Sequence, residues 1–287
     1  MVENTFIDAE SMAASTHREE KPQILLTNDD GIQSPGLWTA AQALSALGFV
    51  HVVAPREQLS GSGRSLPSTS DGTIQTQVMH VNGQDWTVYA IGGTPAQAVL
   101  HAILEILPQR PQLVVSGINY GENLGTGITI SGTIGAALEA ASMGIPALAI
   151  SLETEARFHF SYSPEIDFST AGYFTAYFAR LLLTRKLPWD VHVLKVDVPS
   201  DATPQTPWQI TRLSHRRYYE PLPPERHSWS QPGIVSYRTS NDHLEEQPDT
   251  DVYALRIKRI VSVTPLSLDL TSRVDPQELD RLLRQGK

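Results

Sequence analysis

The chain contains no cysteine. That excludes disulfides, thiolate nucleophiles and cysteine-ligated zinc, and it suits a cytoplasmic setting. No apolar run approaches the ~20 residues a membrane-crossing helix needs. There is no basic block either: the formal charge is −9, so a surface that tracks nucleic-acid phosphates is not expected. No GxGxxG follows the first strand and no GxxxxGK[ST] occurs anywhere, which leaves dinucleotide and P-loop chemistry without support. The nine histidines are scattered, with no HxxxH or HxH spacing.

What is present is enough apolar sequence, 40% of 287 residues, for one large domain or a domain with an appendage. The opening stretch "MVENTFIDAESMAASTHREEKPQ" has neither a basic start nor an apolar core, and residues 1–21 are read as a flexible extension. From "QILLT" onward the chain alternates strand and helix patterns. "GLWTAAQALSAL" is a helix closing at Gly48, and "FVHVVAP" is the next strand. "TIQTQVMHV" and "WTVYAI" form a hairpin turning at Asn82-Gly83. "TPAQAVLHAILEIL" is a helix with Thr94 as N-cap and Pro95 in its first position. "PQLVVS", "TIGAALEAASM", "IPALAIS", "STAGYFTAYFARLLLTR" and "VHVLKVDVP" continue the rhythm. The expected fold class is α/β: a Rossmann-like, mostly parallel sheet flanked by helices over residues 22–198. After Pro199 the texture changes to prolines, tryptophans and alternating patterns such as "WQITRLS", "GIVSYRTS" and "ALRIKRIVSVTPL". Residues 199–287 are read as extended β arms and a subdomain, followed by a terminal helix starting at Asp275-Pro276.

In open parallel sheets, ligands bind beyond the carboxyl ends of the strands. Three such ends here carry unusual loads. The first runs Thr27-Asn28-Asp29-Asp30-Gly31, the second reaches Ser60-Gly61, and the third is Ser116-Gly117-Ile118-Asn119, followed by Asn123. Two carboxylates, a hydroxyl and a carboxamide make an all-oxygen set that suits Mg²⁺, Mn²⁺ or Ca²⁺ rather than Zn²⁺. Adjacent carboxylates repel unless a cation sits between them. On its own "NDDG" also reads as a plain turn; the company of the other strand ends favours the metal. Further along, Ser131-Gly132-Thr133 opens a helix, where free N–H groups favour an anion. An isolated SGT would be an ordinary N-cap; beside a metal rim it reads as a phosphate cradle. Metal plus phosphate without a nucleotide motif points to phosphoester hydrolysis by a metal-activated water.

At these residues the sequence resembles the SurE survival-protein family of metal-dependent 5′/3′-nucleotidases. "ILLTNDDGIQSPGL", "VVAPREQLSGSG", "GGTPAQAV", "VSGINYGENLGTGITISGTIGAALEA", "GIPALAIS" and "VSVTPL" occur in the family's order. The resemblance implies one divalent metal per subunit on Asp29, Asp30, Ser60 and Asn119, with Asp29 and Asp30 carrying the catalysis. It implies phosphate contacts from the segments holding Asn123 and Ser131-Gly132-Thr133, and Asn28 joins these as a substrate-side candidate. The substrates would be nucleoside monophosphates or other small phosphomonoesters, with no nucleic-acid duplex and no membrane as partner. The C-terminal extension would exchange between subunits of a homodimer or homotetramer. Three features depart from the pattern: Gln97 replaces an acidic residue in GTPxD, Ile130 replaces an aromatic before SGT, and "KRIVSVTPL" replaces a glycine-tyrosine strand entry. Gln97 motivates an alternative, a catalytically weak nucleotide- and metal-binding sensor or assembly protein of the same fold.

Overall fold

The structure is a computed structural model, and it describes residues 21–240 and 245–284. The N-terminal extension, apart from Lys21, lies outside the described residues. The central strands are β1 (Gln23–Thr27), β2 (Phe49–Pro55), β5 (Leu113–Tyr120), β6 (Ala147–Leu152) and β7 (Val193–Val198), all parallel where they pair. Their nearly continuous apolar runs fit burial on both faces. Alternation divides those runs between two cores. Ile24 and Leu26 face one layer, with helices α1 (Pro35–Leu44) and α4 (Ser169–Thr184) packed on each other. Leu25 faces the opposite layer, with α2 (Pro95–His101) and α3 (Gly132–Ser142).

Strands β3 (Ile74–Val81) and β4 (Gln84–Ile91) form the expected hairpin. Asn82 and Gly83 both take positive φ, 49° and 76°, as a two-residue turn matched to the strand twist requires. A short β8 (Trp208–Ile210) and β11 (Val261–Leu266) complete a nine-stranded sheet in the order β3-β4-β2-β1-β5-β6-β7-β11-β8. The order reverses at β1, which sends the chain to β2 on one side and pairs with β5 on the other. That reversal opens a crevice above the carboxyl ends of β1 and β5.

The region after Pro199 divides. β11 lies antiparallel to β7 and parallel to β8 within the main sheet, while β9 (Tyr219–Leu222) and β10 (Ser236–Thr239) pair as a separate antiparallel ribbon. The extended reading of "ALRIKRIVSVTPL" needs correcting in its first part. Asp251–Arg256 is a helix, α5, capped by Thr250, whose side chain accepts from Tyr253 N–H. The terminal helix α6 spans Pro276–Arg284 and buries no residue. No helix among the described residues is long and apolar enough to cross a membrane.

Candidate active site

At the end of β1 the chain turns at once; Asp29 then lines the crevice, while Asp30 is buried beside it and is not among the lining residues. Asn28 closes the turn on both sides of Gly31: its Oδ1 accepts the Gly31 N–H at 3.2 Å and its Nδ2 donates to Gly31 O at 3.0 Å. Gly31 has φ +92°, a left-handed conformation that favours glycine. The amide of Asn28 is thus engaged on its own loop.

Asp29 is buried against the start of α3. Its Oδ1 accepts from the Thr133 hydroxyl, and its carboxylate lies within reach of the Gly132 and Thr133 amides. Gly132 is needed for this approach, because a Cβ there would stand 2.6 Å from Asp29 Cβ. Burial pushes the Asp29 carboxyl above its ordinary value, and these donors partly offset the push. Asp30 accepts from Gln58 Nε2 at 2.9 Å and from the Tyr120 N–H at 3.1 Å. Burial first, then the charge of Asp29, drive its carboxyl well above the usual range. Neither aspartate forms an ion pair among the described residues.

The loop after β2 is drawn onto this corner by main-chain bonds, Leu59 N–H to Asp29 O at 2.8 Å and Gly63 N–H to Ile130 O at 2.9 Å. Ser60 arrives with it, and its Oγ accepts from Gln58 Nε2 at 3.1 Å. Asn119 comes from β5, whose register with β6 shifts between Ser116 and Asn119. Its Nδ2 donates to Gly121 O at 2.7 Å and Tyr120 O at 3.2 Å. Fixing the nitrogen in this way leaves Oδ1 as an acceptor turned away from it.

Asp29, Ser60, Asn119, Asn123 and Ser131 line one pocket of about 300 Å³. Asn123 gives one N–H of its side chain to Ser151 Oγ at 2.9 Å. Ser131 caps α3 by accepting from Ile134 N–H at 3.2 Å, so its own hydroxyl proton stays available. Thr133, by contrast, spends its hydroxyl proton on Asp29. A pair of buried carboxylates with no cationic side chain paired to it among the described residues, beside two neutral oxygen donors, suits a hard divalent cation. Among the described residues no three acidic or histidine side chains converge on one point, so a cation held here needs the neutral oxygens.

Several residues in and beside the pocket carried no sequence signal. Gln58 bridges Asp30, Ser60 and the His159 main-chain oxygen, the last at 2.7 Å. Its position two residues before Ser60 is the one clue the sequence offers. Glu122, His159, Phe160, Tyr219 and Tyr237 line the pocket itself. His159 meets the Tyr237 hydroxyl at 2.8 Å through Nδ1, and burial lowers its basicity. The Glu122 carboxyl, bonded to the Tyr218 hydroxyl at 2.5 Å, is pushed up to about 7 by burial.

Fold and site together define a Rossmann-like α/β protein with an oxygen-lined, anionic pocket at the switch point of its sheet. The model of the survival protein SurE family matches residues 24–220, and the chain belongs to that family. It is 43% identical over 265 residues to a protein named 5′-nucleotidase SurE from Thermococcus kodakarensis, covering 91% of this chain and 98% of that one. The like-named protein of Thermococcus gammatolerans is 44% identical over 262 residues, covering 91% and 96%. The crystal structure of the SurE protein from Aquifex aeolicus superposes with a TM-score of 0.71 at 31% identity, covering 91% of this chain and all of that one.

Proposed function

We propose that the chain hydrolyses nucleoside 5′-monophosphates to nucleoside and inorganic phosphate, with one divalent metal ion, Mg²⁺ or Mn²⁺, held by Asp29, Asp30, Ser60 and Asn119. The observation that carries this reading is the buried Asp29–Asp30 pair, with no cationic side chain among the described residues to neutralise it, set beside the start of α3. It agrees with the activity named for the Thermococcus relatives. The metal, when bound, acidifies a water and neutralises charge on the phosphoryl oxygens.

The chain's own groups supply position. Thr133 and the first amides of α3 orient Asp29 and favour its charged form. Gln58 and the Tyr120 N–H do the same for Asp30. The second side-chain N–H of Asn123 and the hydroxyl proton of Ser131 remain for phosphoryl oxygens, and Gly132 keeps the cradle open. Asn28 serves the substrate indirectly, by holding the Gly31 turn. In the reaction a water oxygen bonds to phosphorus as the bond to the 5′ oxygen breaks, and a proton ends on that oxygen. Residues 22–198 supply these groups. The β9–β10 ribbon, with Trp229, Ile234 and Val235 exposed near it, is the arm through which we propose a homodimer or homotetramer assembles.

The sensor alternative is not favoured. Gln97, which motivated it, is accounted for by its work in capping α2. Phosphate release from AMP, with and without Mn²⁺, in wild type and Asp29→Ala tests the reading. Metal-dependent turnover lost in the variant is expected; turnover insensitive to chelator, or none at all, would overturn it.

A further inference from the structure

A pocket that held only metal and phosphate would need no apolar rim. This one has two large apolar side chains at its mouth, Phe160 at 67% and Ile130 at 57% exposure. Both sit on backbone tied to the polar end of the pocket. On one side of Phe160, the main-chain oxygen of His159 accepts from Gln58 Nε2 at 2.7 Å, and Gln58 also holds Asp30. On the other side, the Tyr162 hydroxyl donates to Asp30 O at 2.8 Å. The oxygen of Ile130 accepts from Gly63 N–H at 2.9 Å, and Ser131 follows directly. The neighbouring His159 ring is itself held, bonded to Tyr237 and edge-on to Tyr219. An exposed phenyl ring on backbone bracketed by two anchors to Asp30 offers an apolar face at a fixed place on the pocket rim. Such a face suits a flat partner, since stacking rewards a π-surface and the backbone that carries the ring is already ordered.

We infer that Phe160, with Ile130 on the rim of the same pocket, is the platform on which the nucleobase of the substrate stacks, so that the site selects nucleoside monophosphates over phosphomonoesters without an aromatic ring. This rests on the hydrolytic reading above and adds to it the part of the substrate remote from phosphorus. Binding energy from that part would orient the phosphate against Asn123 and Ser131.

The test compares AMP with ribose 5-phosphate, which keeps the sugar and phosphate and lacks the base. The ratio of their kcat/KM values is measured for wild type, Phe160→Ala and Phe160→Tyr with Mn²⁺ present, together with calorimetric binding of AMP. Losing a stacking ring is expected to cut the AMP preference about tenfold, mainly through KM, and Phe160→Tyr should restore it. Because the ring is exposed, its removal leaves the core intact. An unchanged ratio in Phe160→Ala overturns the platform while leaving the hydrolase standing. If wild type releases no phosphate but Phe160→Ala still weakens AMP binding, the hydrolase falls and the platform stands.

Discussion

The ammonium of Lys195 donates to the main-chain oxygen of Asn123 at 2.7 Å, from a position with no exposure to solvent. Asp197 accepts the Asn123 N–H at 2.8 Å, and Asp251 accepts the Gly125 N–H at 2.9 Å. Lys195 pairs with both aspartates. Burial works against its charge, but the two carboxylates outweigh burial and hold it protonated. Three buried charges from β7 and α5 therefore fix the main chain of the loop that presents Asn123.

Lys195→Met leaves two buried carboxylates facing each other without their cation. Breaking a buried pair from one side costs about 3–5 kcal/mol, and urea unfolding should show a loss of that size. A loss below about 1 kcal/mol would mean that the cluster is already neutral.

Asp30→Asn should act on stability with opposite signs depending on metal. Without metal it removes one member of a repelling, desolvated pair, so the melting temperature should rise. With saturating Mn²⁺ the wild type gains the binding free energy and the variant gains little. Thermal melts of both proteins with chelator and with Mn²⁺ read the crossing directly. A variant stabilised by Mn²⁺ as strongly as wild type would remove Asp30 from the ligand set.

Gln97 makes a third test, and it bears on how the sequence was read. Its Oε1 accepts from the Thr94 N–H at 3.0 Å and from Ser70 Oγ at 2.7 Å, and its Nε2 donates to Pro67 O at 3.0 Å. A carboxylate cannot make the last bond. Gln97→Glu should therefore loosen the loop from residue 56 to 73 at a cost of about 1–2 kcal/mol, without raising turnover. Proteolysis of that loop and steady-state kinetics check both halves. Higher activity in Gln97→Glu would revive the idea that the missing acid weakens this chain.

The sequence made the core legible where the signal is local. A buried run such as Ile24–Leu26 with a turn after it, an Asn-Gly hairpin and a Thr-Pro helix start each carry their own chemistry. Asp29, Ser60 and Asn119 could be brought together on paper because strand ends in a parallel sheet share one rim. Other elements depended on distant contacts. The alternating pattern around Ala254 read as strand, yet Asp251 is anchored by the Ser214 N–H at 2.9 Å and by Lys195, and that anchoring favours a helical start at Thr250. Gln58, His159 and Phe160 sit on loops and Tyr237 on the β9–β10 ribbon, all brought to the site by tertiary bonds that no spacing in the chain announces.

Glu122 supplies a prediction with a defined pH window. Its carboxyl is buried, its Oε2 has no hydrogen-bond partner among the described residues, and burial pushes its pKa up to about 7 from an ordinary 4.5. A carboxyl raised on folding binds its proton more tightly in the native state. Its stabilising contribution is therefore full below pH 4.5 and is lost as pH rises through 7. The shift corresponds to roughly 3 kcal/mol at most. Urea unfolding from pH 5 to pH 8 should show stability falling over that interval in wild type. Glu122→Gln keeps an acceptor for Tyr218 and cannot ionise, so it should flatten this part of the profile and be the more stable protein at pH 8. Parallel profiles for the two proteins would show that Glu122 is already charged at neutral pH, with the Arg256 guanidinium, rather than burial, governing its charge.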